Sequence, residues 1–300
     1  MTIMPYKKLS AASLVLTPLL IASTGWSNTI SVGGTQLVIP DPPGFAAVTA
    51  QMPTVYRLRQ QQVAPGNEQF ICFIPELDIP NAMKDGLPRS ARWFSVQTPK
   101  ETVGISFSKT NFSELTQVLR TQIDELCGQV EKEAPGLLER VNKGLTKEFG
   151  VDLGSVSQMV PLTPHEETGH TFAWSMFVKR EHRGTTGNSA FSVDVCTTTF
   201  VNVREKLLIL YCYAEEAGLA WSRTVSKHWV DSVVAANLTH TLTAPEKPLS
   251  PTTIRIAKGI GTVVIMAVIG GLVGLGKMAW RRSGSSKDDT RQDPANPEGE

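Results

Sequence analysis

His165-Glu166-Glu167-Thr168-Gly169-His170 gathers imidazoles and carboxylates more densely than any other short stretch of this 300-residue chain. A zinc-protease helix needs two histidines four residues apart so that both rings lie on one face. Here they are five apart, and five residues turn a helix by about 500°, leaving the rings roughly 140° apart. Pro164 and Gly169 also oppose a helix. On a hairpin turn the two rings could still converge on a metal with a glutamate. His165 and His170 therefore stand as a candidate metal or hydrolase site, beside the simpler expectation of a solvated polar turn. His182 falls in a charged loop with Lys179, Arg180, Glu181 and Arg183, and His228 beside Trp229 belongs on a helix surface. The chain has no G-x-S-x-G elbow, phosphate loop or C-x-x-C pair. No catalytic residue is assigned, and no cofactor is expected.

The four cysteines, Cys72, Cys127, Cys196 and Cys212, are the other residues with chemistry to offer. In an oxidising compartment an even count favours two bridges over a metal site. A hairpin centred on Arg204 sets Cys196 opposite Cys212, and facing residues of an antiparallel pair approach to about 4.5 to 5.5 Å between Cβ atoms. Cys127 lies on the apolar side of a helix and Cys72 in a strand, so a second bridge from helix to sheet is open. Free buried cysteine is the alternative for all four.

Which compartment they meet follows from the two ends of the chain. The 18 uncharged residues Gly259 to Gly276 rise about 27 Å as a helix. Lys277 can snorkel, so Met278, Ala279 and Trp280 complete a transmembrane helix over 257–280. Lys7 and Lys8 precede an apolar run from Ala11 to Ala22, and the small residues to Ser27 form a cleavage zone, so 1–27 reads as a secretory signal. An uncleaved anchor is the alternative. Lys277, Arg281, Arg282, Lys287 and Arg291 outnumber Arg255 and Lys258 across the span, which places the C-terminus in the cytoplasm. Residues 28–241 then form one exported domain, 242–256 a proline-rich linker and 281–300 a disordered tail. Within the span, Ala267 and Gly271, and Gly270 and Gly274, put small residues one turn apart, where two helices could associate.

Periodicity organises the exported part. Ile30 to Val32 and Gln36 to Ile39 flank Gly33-Gly34 as a hairpin. Tyr56 to Leu58 and Phe70 to Ile74 read as short strands, and Trp93 to Gln97 with Val103 to Phe107 as a second hairpin. Asn111 and Glu114 form a capping box for a helix whose stripe is Phe112, Leu115, Leu119, Ile123, Leu126 and Val130. Leu138, Val141, Leu145 and Phe149 mark a second helix. Alternation then returns at Val156, Val160 and Leu162, at Phe172, Trp174, Met176 and Val178, and at Phe191 to Val195. Leu207 to Tyr213 is apolar at both parities, as a central strand covered on both faces requires. Val225, Trp229 and Val233 belong to a closing helix. This order predicts an α+β domain, an antiparallel sheet packed by helices.

The segment IPDPPGF, and LLILYCY running into GLAWSRTVSKHWVDSVV, resemble the first strand and the last strand-plus-helix of the family that includes PsbP, Mog1 and DcrB. The resemblance implies an antiparallel sheet with helices against it, transfers no functional residue, and suggests an assembly or binding factor more than an enzyme.

Removing Lys7 and Lys8 with the signal turns the formal charge from +1 to −1, so nothing favours a nucleic-acid partner. The expectation is a single-pass inner-membrane protein of a bacterial envelope, its domain in the periplasm, acting as a non-catalytic binding or assembly module. Its partners are the membrane, another protein and a second copy through the span. An exported hydrolase or metalloprotein using His165 and His170 is the alternative. Asn111-Phe112-Ser113 and Asn237-Leu238-Thr239 match the glycosylation pattern, which matters only in a eukaryotic host.

Overall fold

The computed structural model describes residues 27–121, 123, 125, 155–183 and 189–238. The signal up to residue 26, Cys127, the helix expected over 138–149, the linker, the span with Ala267, Gly270, Gly271 and Gly274, and the tail lie outside the described residues. No helix among the described residues is long and apolar enough to cross a membrane.

Strands β1 (Ser27–Val32) and β2 (Thr35–Pro40) form the expected hairpin, Val32 facing Thr35 across Gly33 and Gly34. Both glycines have positive φ, +54° and +83°, as a two-residue turn matched to strand twist demands. The main sheet is antiparallel throughout. Its order is β3 (Phe45–Ala47), β4 (Asn67–Pro75), β5 (Trp93–Pro99), β10 (Lys206–Glu215), β9 (Ser189–Val203), β8 (Thr171–Arg183) and β6 (Ser155–Pro161), with β7 (Glu166–Glu167) also paired to β8. The α+β class is as expected, helices packing on an antiparallel sheet.

Strand β10 is central and alternates between two cores. Leu207, Ile209, Tyr211 and Tyr213 enter one cluster with Val55, Leu58, Phe112, Leu115 and Leu119. These come from α1 (Pro53–Gln61) and from α3, helical over 109–121. Between them in sequence lies α2 (Ile79–Ala82). Leu208, Leu210 and Cys212 enter the opposite cluster with Ile30, Leu37 and Ile39 of the first hairpin and Trp229, Val230 and Val233 of α4 (Leu219–Asn237). Each large apolar side chain buried this way contributes about 1.5–3 kcal/mol, which is why two helical layers and a hairpin stay on one sheet. Trp229 donates its indole N–H to the Pro40 carbonyl at 2.8 Å. The Asn237 amide accepts from Val38 N and donates to Val38 O at 2.9 and 2.7 Å, imitating a neighbouring strand along the edge of β2.

Three local expectations are corrected. Tyr56 to Leu58 is helix, because Pro53 sits in the first turn where its missing N–H costs nothing, and Met52, Val55, Leu58 and Arg59 recur on one buried face. Val103 to Phe107 makes no strand: both edges of β5 are already taken by β4 and β10. That segment instead feeds its carbonyls to Lys206 and Asn202. Finally, α3 is capped by Ser108, whose Oγ accepts from Asn111 N at 3.1 Å. The helix starts three residues before the expected box, and Asn111 is buried inside it.

Gly33 is the tightest turn position, since a Cβ there would overlap the Val103 carbonyl, whereas Gly34 faces open space. Gly33→Ala is therefore expected to lower stability by more than the roughly 1–2 kcal/mol of left-handed strain, and Gly34→Ala by about that strain alone. Urea midpoints of the two variants check the difference.

Candidate functional site

The histidine stretch lies on the edge of the sheet. Glu166 faces Ala173 and Glu167 faces Phe172, and Thr168 N donates to Thr171 O at 2.9 Å to close the turn. His170 is at the turn and His165 precedes β7. Counting two residues on either side of the Glu167–Phe172 rung at about 3.3 Å each puts their backbones roughly 13 Å apart. The turn is a hairpin, yet it does not bring the two rings to one ion. His170 Nδ1 is 3.1 Å from the Asn202 carbonyl. Burial first, and the Arg223 charge second, push the His165 ring down to about 4. A base this weak is poorly matched to proton abstraction near neutral pH, and the guanidinium that depresses it would also repel a cation. Among the described residues no group of three His, Cys, Asp or Glu is placed to hold a metal.

What the carboxylates do is mechanical. Successive strand residues point to opposite faces, so Glu167 reaches Arg120 on α3 while Glu166 reaches Lys227 on α4 at 3.3 Å. Lys227 also pairs with Asp231 one turn on, at 3.2 Å. The stretch is a clasp joining the two helical layers around the sheet edge, beside a cleft of about 680 Å³ whose lining includes Arg120, Ile123, Pro161, Leu162 and His165. Each exposed pair contributes about 0–1 kcal/mol.

The lowered His165 pKa has a definite sign. Between about 6.5 and 4 the unfolded chain binds a proton that the folded chain does not, so folding stability is expected to fall as pH drops through that window. Replacing His165 with Gln should flatten the dependence, and urea midpoints at pH 7, 5.5 and 4 measure it. An equally steep fall in the variant would exclude His165 as the source.

The expected Cys196–Cys212 pair is corrected by one residue of register. The turn between β9 and β10 is the two-residue Arg204-Glu205, both at positive φ (51° and 57°), so Cys196 faces Tyr213 and Cys212 faces Thr197. A shift of one moves a side chain to the other face: Cys196 lies in the core under α1 and α3, Cys212 in the core under α4. Both are buried free thiols, as is Cys72. Burial raises all three, Cys72 to about 12, which keeps them protonated and inert. For the expected Cys72–Cys127 pair, Cys127 lies outside the described residues and Cys72 is free. Neither glycosylation pattern presents a usable asparagine, since Asn111 and Asn237 are 8% and 4% exposed.

Two buried ionic features were missed in sequence, and the charged loop expected around His182 is instead the end of strand β8. Arg180 and Asp194 form an ion pair with side chains 1% and 7% exposed, diagonal across β8 and β9. Arg59 is 0% exposed, lies 3.9 Å over the Trp93 ring, and donates from Nη1 to Gln62 Oε1 at 2.9 Å. The Trp93 ring in turn stacks on Tyr213 at 4.2 Å. Below it a polar row crosses the sheet: Gln69, Ser95, Gln97 and Asn67 are hydrogen-bonded in series at 2.8–3.0 Å. Arg59 would have been visible had 53–61 been read as helix, where it falls on the Met52–Val55–Gln62 stripe.

No family model and no curated protein sequence matches the chain. The fold shows a weak likeness to a solved structure of the Ran-binding protein Mog1p from Saccharomyces cerevisiae. Identity is 12%, covering 72% of this chain and 94% of that one, with a TM-score of 0.27. That likeness assigns no residue a role.

Proposed function

We propose that this protein is a membrane-tethered, extracytoplasmic binding or assembly module whose described domain docks a protein partner. The observation that carries the docking is Leu77, which is 94% exposed on a turn held in place on both sides. Glu76 N donates to Gly44 O at 3.1 Å, and both Asp78 oxygens accept, from Arg89 N and Ser90 N, each at 3.1 Å. Tyr56 and Met83, 46% and 47% exposed, lie on neighbouring segments that the Thr54–Asp85 hydrogen bond joins. Burial of Leu77 against a partner would recover its transfer free energy. The tether rests on the apolar run 259–276 and the charge bias around it.

A photo-crosslinking residue in place of Leu77 is expected to give a discrete adduct in intact membranes. One at Ser232, exposed on α4 on the other side of the sheet, should give none. Leu77→Asp should remove association with that adduct's partner while leaving the urea midpoint unchanged. Adducts of equal yield from both positions would refute the assignment. Protease added to spheroplasts should digest the domain and leave a small C-terminal fragment; a protected domain would overturn the topology. The hydrolase or metalloprotein alternative has less support, because its two histidines are held apart and one is too weak a base.

A further inference from the structure

The buried guanidinium of Arg59 uses only part of its hydrogen-bonding capacity. Nη1 is satisfied by Gln62, but Nε and Nη2 have no hydrogen-bond partner among the described residues. These two N–H groups lie on the same edge of the planar guanidinium and point in parallel, the fork that accepts both oxygens of a carboxylate or phosphate. Asp78 is near enough to be felt electrostatically, but both its oxygens are taken by the Arg89 and Ser90 amides. Cation–π contact with Trp93 covers the face of the guanidinium and leaves the edge unserved. Further unpartnered donors belong to the same core, Gln62 Nε2 and Trp93 Nε1. Burial with no carboxylate in contact also lowers the Arg59 pKa to about 10.

An unpaired buried guanidinium edge is costly, and its positive charge with two parallel donors selects an anion. We propose that the Nε–Nη2 edge of Arg59 is a binding site for a small carboxylate under α1. Asp78, next to Leu77, is near enough to be felt at Arg59, but the two assignments have different readouts, acetate binding for this site and crosslinking for the Leu77 turn.

The test is thermal unfolding of the full chain in sodium acetate, with sodium chloride and sodium phosphate at equal ionic strength as the other arms. A saturable rise in Tm in acetate beyond chloride is expected. Arg59→Lys keeps the charge but removes the fork, and should weaken the apparent acetate affinity by about tenfold or more. In case that variant does not fold, the Arg59 Nε–H resonance of ¹⁵N-arginine-labelled wild-type protein should shift with acetate along the same isotherm. A rise in phosphate alone would overturn the carboxylate assignment. Superimposable curves in all three salts with an unmoved Nε–H resonance would mean that water alone satisfies the edge, and would overturn the site itself.

Discussion

Replacing Asp194 by alanine is expected to destabilise the domain by about 3–5 kcal/mol, because it strands the buried Arg180 guanidinium without its ion-pair partner. Arg180 is 1% exposed, and its Nε and Nη1 already lack partners, so Asp194 is what compensates it. The pair is nonetheless a poor bargain in free energy. Burial first, with Glu215 adding to it, leaves the Asp194 carboxyl raised despite the charge and hydrogen bond of Arg180, so the cost of desolvation is large. Replacing both residues together, Arg180→Met with Asp194→Leu, should therefore be neutral or stabilising by up to about 4 kcal/mol. Guanidinium denaturation of the two single variants and the double variant closes the cycle. A double variant as unstable as Asp194→Ala would show that the pair stabilises more than its desolvation costs.

Trp229→Ala should cost about 3–5 kcal/mol, the range for deleting a fully buried large aromatic. Its indole meets Phe73 and Phe94 edge-on at 5.6 and 5.1 Å and holds α4 to the first hairpin through Pro40. Phenylalanine at this position keeps much of the ring packing and loses the hydrogen bond, worth about 0.5–1.5 kcal/mol. The sharper readout is local. If Trp229 clamps the hairpin, hydrogen exchange in Thr29 to Leu37 should accelerate in Trp229→Ala more than exchange in β8, whereas uniform acceleration would place its effect in the core alone. Asn237 makes the second attachment between the same two elements, so the variants at 229 and 237 should couple rather than add.

Strands whose side chains divide cleanly between two environments were legible in sequence. Phe172, Trp174, Met176 and Val178 alternate because one face of β8 lies in the core under α3, while Leu207 to Tyr213 is apolar throughout because β10 has a helical layer on each side. The closing helix and the first hairpin were legible for the same reason, each carrying its period or its turn residues locally. Tyr56 to Leu58 was misread because Arg59 and Gln62 occupy inward positions of α1 and blur its stripe. In isolation polar residues argue against burial, and only the Trp93 ring and the Arg59–Gln62 hydrogen bond explain them. Val103 to Phe107 carries a strand's alternation but has no free neighbour to pair with.

From the sequence alone came the class of fold, the central strand, the two-sided burial that follows from its composition, and the apolar run that motivates a tether. Those are properties of single segments, set by which side chains avoid water and at what period. Only the tertiary structure decided the register of β9 against β10, and with it the separation of Cys196 from Cys212. Arg204 and Glu205 both take positive φ without being glycine, and that strain is met by distant partners, Gln36 O for Arg204 and Phe107 N for Glu205. The use of Glu166 and Glu167 as a two-sided clasp, and the isolation of one edge of Arg59, were likewise settled by neighbours far away in the chain. A charge in a sequence carries its sign, but what it faces is fixed only when the layers close.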